Sequence, residues 1–202
     1  MKLYYASGAC SMAPHIALRE AELSFELEKV DLTNKQTAKG GDYTSINPKG
    51  YVPALRLDSG EILTEVAVIL QFLADQKPES GLAPPCGTLE RYRLMEWLNF
   101  ISSEIHKQFS PLFNPKIPPE WRDHQVALLG RRFTYISDSI GKNPYLLGDH
   151  FSAADAYLFS MLRWCELLHV NLGRWPKLEG YLARVANRPA VKEALNAEGL
   201  EE

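Results

Sequence analysis

Ser7-Gly8-Ala9-Cys10-Ser11-Met12-Ala13-Pro14-His15 follows a short apolar stretch, Lys2 to Ala6, that reads as a strand, and it opens a segment, Ser11 to Leu23, that reads as a helix. A cysteine at such a junction sits where the first helical turn leaves backbone N–H groups without intrahelical acceptors and concentrates positive potential, which favours thiolate over thiol. The thioredoxin-like redox motif puts a second cysteine three residues on, and here that position is Ala13. The chain cannot close its own Cys-x-x-Cys bridge, so exchange chemistry at Cys10 needs an external thiol. A small soluble thiol is the leading ligand.

Outward from this motif the chain divides by periodicity. Up to about residue 77 strands and helices alternate: Phe25 to Asp31 reads as extended, Val52 to Leu57 and Glu61 to Thr64 flank the turn Asp58-Ser59-Gly60 as a hairpin, and Val66, Ile69, Leu70 and Leu73 recur at helix spacing within Glu65 to Gln76. Phe25 to Asp31 carries three acids and a lysine, as an edge strand does to discourage pairing. Residues 78–86, rich in proline and glycine and without periodicity, read as a linker. From 87 to 202 the pattern is helical, with the stripe Leu94, Leu98, Ile101 and Ile105 and further segments opening near Glu120, Ser152 and Pro176. Ser152, three residues ahead of Asp155 and before the apolar run Ala156 to Leu162, forms a capping box, so Asp155 reads as structural and not catalytic. The expected architecture is an α/β thioredoxin-like domain, 1–77, followed by an all-α domain, 87–202.

Composition narrows the functional classes. With 46% hydrophobic and 23% charged residues the chain is ordinary for a globular protein, and a net charge of −3 with dispersed lysines and arginines gives no electrostatic footprint for nucleic acid. Apolar runs such as Val66 to Leu70 are far too short to span a membrane, and the N-terminal stretch meets glycine, serine and proline before a signal-peptide core forms. Three separated cysteines, Cys10, Cys86 and Cys165, fit a reducing compartment, and a cytoplasmic protein is expected. Cys165 and His169 lie four apart on a helix, but no second ligand pair accompanies them, so no metal is expected.

With these motifs in hand, the whole chain resembles the glutathione S-transferases, and within them the bacterial beta class. The resemblance is carried by Lys-Leu-Tyr-Tyr at 2–5 with Gly-Ala-Cys-Ser at 8–11, Asn-Pro-Lys-Gly-Tyr-Val-Pro at 47–53, Leu-Thr-Glu at 63–65, Glu-Trp-Leu-Asn-Phe at 96–100 and Gly-Asp-His-Phe-Ser-Ala-Ala-Asp-Ala-Tyr at 148–157. It implies a glutathione-binding first domain, a helical domain that shapes a pocket for an electrophile, a homodimer, and no cofactor, glutathione entering as co-substrate. It implies a cis bond before Pro53, so that Val52 binds the cysteinyl part of glutathione by its backbone, while Glu65 and the N–H of Val66 meet the γ-glutamyl ammonium and carboxylate. Many relatives outside the class have serine or threonine where this chain has Val66, so one hydroxyl contact is absent. Lys35 matches the family's cation for the glycyl carboxylate, and Asn99 together with Ser103, Glu104 and His106 matches glutathione-contacting positions, some of them reached across a dimer interface. Asn99, Ser103 and His106 fall at i, i+4 and i+7, on a face distinct from the apolar stripe.

The implied chemistry is presentation of glutathione as thiolate. A free thiol with a pKa of roughly 8.5 is about 3% ionised at pH 7, and lowering it by two units takes about 2.7 kcal/mol. A helix N-terminus contributes about 0.3 to 1 kcal/mol, at most about 2. Donors aimed at the sulfur must supply the rest, and the candidates are Cys10, Ser11, Tyr5 and His106, with Cys10 first. Lys107, Phe109, Phe113, Tyr157 and Trp164 are expected to bound the electrophile pocket, whose aromatic character suits an apolar substrate. Conjugation to small apolar electrophiles is the leading activity, with glutathione-dependent disulfide exchange through Cys10 beside it. The alternative is a non-catalytic carrier of apolar ligands or an interaction module built on the same fold.

Overall fold

The computed structural model describes residues 1–200; the last two residues of the helical domain, as the sequence divides it, lie outside them. Strand β1, Lys2–Tyr5, leads through the Cys10 loop into α1, Met12–Glu20, and on to β2, Glu26–Asp31, which lies parallel to β1. After the two-residue β3, Gln36–Thr37, and a 3₁₀ turn at Tyr43–Ser45, the hairpin β4, Ala54–Arg56, and β5, Ile62–Thr64, joins the other side of β1 antiparallel, and α2, Val66–Gln76, completes the unit. The sheet order is β3-β2-β1-β4-β5. Because successive strand residues face opposite ways, Leu3 and Tyr5 enter the main core with α1 and α2, while Tyr4 packs on the other face with Tyr43, Val30, Val52 and Ala54. The expected edge strand is therefore corrected: β2 has β1 on one side, and on the other β3 pairs with Val30 and Asp31 at its end.

The segment after α2 is a packed connection. It begins with a 3₁₀ turn at Pro78–Ser80, and Leu82 is fully buried, its carbonyl accepting the N–H of Ala153. Across it, Arg91 holds Asp75 with two hydrogen bonds, 2.7 and 2.8 Å. The helical part then runs α3, Leu89–Phe100, capped by Thr88; a π-helical turn, Ile101–His106; α4, Lys107–Phe109; a 3₁₀ turn, Ser110–Phe113; α5, Pro119–Ile140; α6, Ala153–Leu162; α7, Trp164–Leu167; α8, Pro176–Ala186; and α9, Pro189–Glu198. Helix α6 is the axis of this half. All ten of its residues are buried, and α1, α2, α3 and α8 pack around it. One continuous core thus runs from the sheet through α1 into the helices. Among the described residues no helix is long and apolar enough to cross a membrane.

The capping box holds. Ser152 donates its N–H and its hydroxyl to Asp155 Oδ2, while Leu146 N–H and the Tyr181 hydroxyl donate to Oδ1 at 2.9 Å each. A fully buried carboxylate with four donors fixes the start of α6 and the loop before it, and Asp155 is absent from the cavity described below. Replacing Asp155 by alanine leaves these donors without an acceptor in the core. The expected loss is on the order of 3 kcal/mol, read as a lower urea midpoint at unchanged slope; a loss under about 1 kcal/mol would show that the buried bonds do not hold α6 in place.

Candidate functional site

A cavity of about 620 Å³ opens between the sheet unit and the helices. One wall comes from the loop after β1 (Ala6 to Cys10), the segment Asn47 to Pro53, and Thr64 to Val66 at the start of α2; the other comes from Ser102, His106, Lys107, Ser110, Phe113, Tyr157, Trp164 and Leu167. The size is in the range that holds a small-molecule ligand.

Cys10 lies at the inner end of this cavity, just ahead of α1, and is 8% exposed. The peptide bond between Val52 and Pro53 is cis, and the Val52 carbonyl accepts the Cys10 S–H at 3.2 Å. The expectation of a thiolate at this helix start is overturned. Burial pushes the thiol up from near 9 to about 12, although the N–H groups of Cys10 and Ser11 pull the other way. Burial thus outweighs the field of the helix start and those N–H groups. Cys10 is a protonated hydrogen-bond donor.

Two other sulfur-activating candidates lie elsewhere. The Ser11 hydroxyl is fully buried and bonded to Ala6, donating to its carbonyl at 3.3 Å and accepting its N–H at 3.2 Å. Tyr5 follows the strand alternation into the core beside His15, ring centroids 6.3 Å apart, away from the cavity wall. His106 does reach the cavity. Its Nδ1 is 2.7 Å from the Tyr157 hydroxyl, and burial, with the nearby Lys107 ammonium, pushes its pKa down to about 4. The ring is neutral at pH 7, with one ring nitrogen protonated; where the Tyr157 hydroxyl donates to Nδ1, the proton is on Nε2. Burial also lifts the Tyr157 phenol above its usual range, against the pull of the Ser102 hydroxyl beside it.

The π-helical turn at Ile101–His106 changes the face that α-helical spacing assigns. An extra residue in one turn rotates everything after it, so Ser102, His106 and Ser110 line the cavity, while Asn99 and Ser103 stay on the exposed face and Glu104 pairs with Arg132 at 2.6 Å. Asn99, Ser103 and Glu104 therefore do not join the cavity wall of this chain. Lys35 does not join it either, since its Nζ donates to the Gly50 carbonyl at 3.0 Å. Lys49 lines the cavity instead and was missed; it stands in the Asn-Pro-Lys-Gly stretch, two residues from buried Asn47, which is the signal that could have found it. Glu65 and Val66 lie where expected, Glu65 at φ 70°, a left-handed conformation that costs a non-glycine residue and recurs at functional sites. Lys107, Phe113, Tyr157 and Trp164 line the helical wall as expected. Phe109 does not: it is 0% exposed and packs beneath Trp164 and Phe133.

Comparison with known proteins decides the family. Family models described as "Glutathione S-transferase, N-terminal domain" and "Glutathione S-transferase, C-terminal domain" match residues 8–76 and 119–184. Glutathione S-transferase GstA of Escherichia coli O157:H7 is 44% identical over 99% of this chain and 100% of its own length. The chain belongs to the glutathione S-transferase family. Two solved structures, a sphingomonad glutathione S-transferase complexed with glutathione and a bacterial beta class glutathione S-transferase from Sphingomonas chungbukensis, each align with a TM-score of 0.95 at 46% identity, covering 100% of both chains. Sequence motif and comparison agree on the beta class.

In this glutathione S-transferase the depressed His106 has a measurable consequence. Its ring protons, followed by NMR, are expected to titrate with a midpoint of about 4, and Lys107→Met should raise that midpoint by removing a neighbouring cation. The sign for stability follows: between about 6.5 and that value the unfolded chain binds a proton that the folded chain refuses, so this contribution falls as pH falls through the window. A midpoint near 6.5 would contradict the burial of the ring.

Proposed function

We propose that this glutathione S-transferase joins the sulfur of glutathione to small apolar electrophiles. The observation that carries the reading is the division of one cavity into two chemistries. One wall presents the Cys10 S–H, the Val52 backbone, Glu65 and the N-terminus of α2; the helical wall presents the aromatic and apolar patch Phe113, Tyr157, Trp164 and Leu167 beside Ser102, His106, Lys107 and Ser110. The first complements a thiol peptide with a zwitterionic end, and the second complements an apolar, aromatic partner.

In the reaction, glutathione loses its thiol proton to solvent, the thiolate attacks an activated carbon, a C–S bond forms, and the leaving group departs with its electron pair. The protein must hold the thiolate. A peptide laid along Val52 would offer its own N–H to the Val52 carbonyl and release the Cys10 S–H to donate to the sulfur, with the first turn of α1 adding its field. Neutral His106, in the tautomer whose Nδ1 accepts from Tyr157, has an Nε2–H free to act as the second donor on the opposite wall. Disulfide exchange ranks below conjugation, because it needs Cys10 as nucleophile and burial favours its thiol form. The carrier alternative is set aside: a relative 44% identical over its full length is a transferase.

Residues 1–77 carry the glutathione half, 78–86 the connection and 87–202 the electrophile wall, without a cofactor. Leu89, Tyr92 and Met95 form an exposed apolar face on α3, continuous with Asn99 and Ser103; this supports a homodimer in which these residues, with Glu104, serve the partner's glutathione. A cytoplasmic, detoxifying role suits the reducing-compartment cysteines and the apolar wall, and nothing in the charge pattern suits nucleic acid or a membrane surface.

Purified protein should conjugate glutathione to 1-chloro-2,4-dinitrobenzene, and Cys10→Ala should lower kcat at fixed pH about three- to tenfold, since a weak S–H donor is lost while the helix start remains. Unchanged turnover in the variant would pass the role to His106 and the α1 backbone. No turnover by the wild type with a panel of activated aryl halides, alkyl halides and enones would contradict the reading.

A further inference from the structure

The polar wall of the cavity carries an ion pair that the sequence did not single out. Lys49 Nζ lies 2.5 Å from Glu65 Oε1 and donates to Thr64 Oγ1 at 3.1 Å. Its backbone is held by a built loop. Asn47, buried, accepts the Lys49 N–H on its side-chain oxygen at 3.2 Å and donates to the Tyr51 carbonyl at 2.7 Å, a carbonyl the buried Tyr43 hydroxyl also reaches at 2.8 Å. Gly50, at φ 66°, completes the turn.

Beside this cation stand Glu65, aimed by its left-handed backbone, and the start of α2, where Val66 offers an N–H but no hydroxyl. A cation and an anion at ion-pair distance, with the anion on the residue just before the first amide N–H of α2, complement the ammonium and carboxylate that share one carbon in an α-amino acid. We propose that Lys49 is a glutathione-binding residue whose ammonium takes the α-carboxylate of the γ-glutamyl group while the ligand's own ammonium takes over Glu65. The assignment rests on the glutathione reading above. The exchange leaves no charge unpaired: one internal ion pair becomes two across the interface. Both side chains are half exposed or more, 50% and 63%, and an ion pair so exposed is held weakly, so parting it costs little. Lys49 thereby supplies the carboxylate contact that a hydroxyl at position 66 would have made, and the site selects peptides with a free α-carboxylate.

Calorimetric titration of wild type, Lys49→Met and Lys49→Arg with glutathione and with 4-aminobutyryl-cysteinylglycine, which keeps the ammonium and lacks the α-carboxylate, tests this. Lys49→Met is expected to weaken glutathione about tenfold and Lys49→Arg no more than about threefold, whereas the analogue, weaker than glutathione with wild type, loses nothing further in Lys49→Met. Glutathione binding by Lys49→Met as tight as or tighter than wild type would overturn the proposal, leaving Lys49 a competitor for Glu65. Equal losses for both ligands would overturn it too. Wild type that binds neither ligand would instead overturn the glutathione reading itself, and the proposal with it.

Discussion

The loop between the first strand and the first helix is pinned at Gly8 from both sides, and the geometry of the site depends on that grip. The Gly8 carbonyl accepts the Trp164 indole N–H at 2.8 Å, and its N–H donates to Glu198 at 3.0 Å. The other oxygen of Glu198 accepts from His15 in α1 at 2.9 Å, so α7, α9 and α1 converge on one residue. At φ 71° that residue sits in a conformation glycine adopts at least cost. Trp164 also packs edge-on against His106 and Phe113, at 5.1 and 4.9 Å, so one indole fixes the apolar wall relative to the sulfur-bearing loop. Two units separated by a connecting segment thus share one rigid site, because their contact runs through hydrogen bonds as well as core packing.

Within that frame, desolvation outweighs the helix field. Cys10 and His106 are both held neutral by burial, one as a thiol and the other as an unprotonated imidazole, although the charges of Lys107 and Glu65 reach both. Fixed charges stand farther out along the walls, Lys49 with Glu65 at the peptide end and Lys107 beside His106. The protein's own groups satisfy one another in the same pattern, Cys10 with Val52 and Lys49 with Glu65, which lets a peptide enter by exchanging partners and not by leaving polar groups bare.

Most of the architecture was legible because it rests on local rules. The hairpin turn at Asp58 to Gly60, the α2 spacing from Val66 to Leu73 and the Ser152–Asp155 cap each state their structure within a few residues. What escaped depends on phase or on distant partners. The π-helical turn has no local marker, and it moved Ser102 into the cavity and left Ser103 outside. Helix α9 opens after Arg188 with Pro189 and carries Val191, Ala194, Leu195 and Glu198 on one buried face, a pattern readable in principle and passed over. Tyr5, a candidate donor to the sulfur, is sent by strand alternation into the core with Leu3. The state of Cys10 could not follow from its helix position alone, since burial by the surrounding loops outweighs the field of the helix.

The site turns on Cys10 being a protonated donor. Thiolate ultraviolet absorbance of wild type minus Cys10→Ala, titrated upward from neutral pH, isolates that one sulfur from Cys86 and Cys165. No ionisation step is expected below about pH 10. A step near neutral pH would contradict it and return Cys10 to the role of nucleophile.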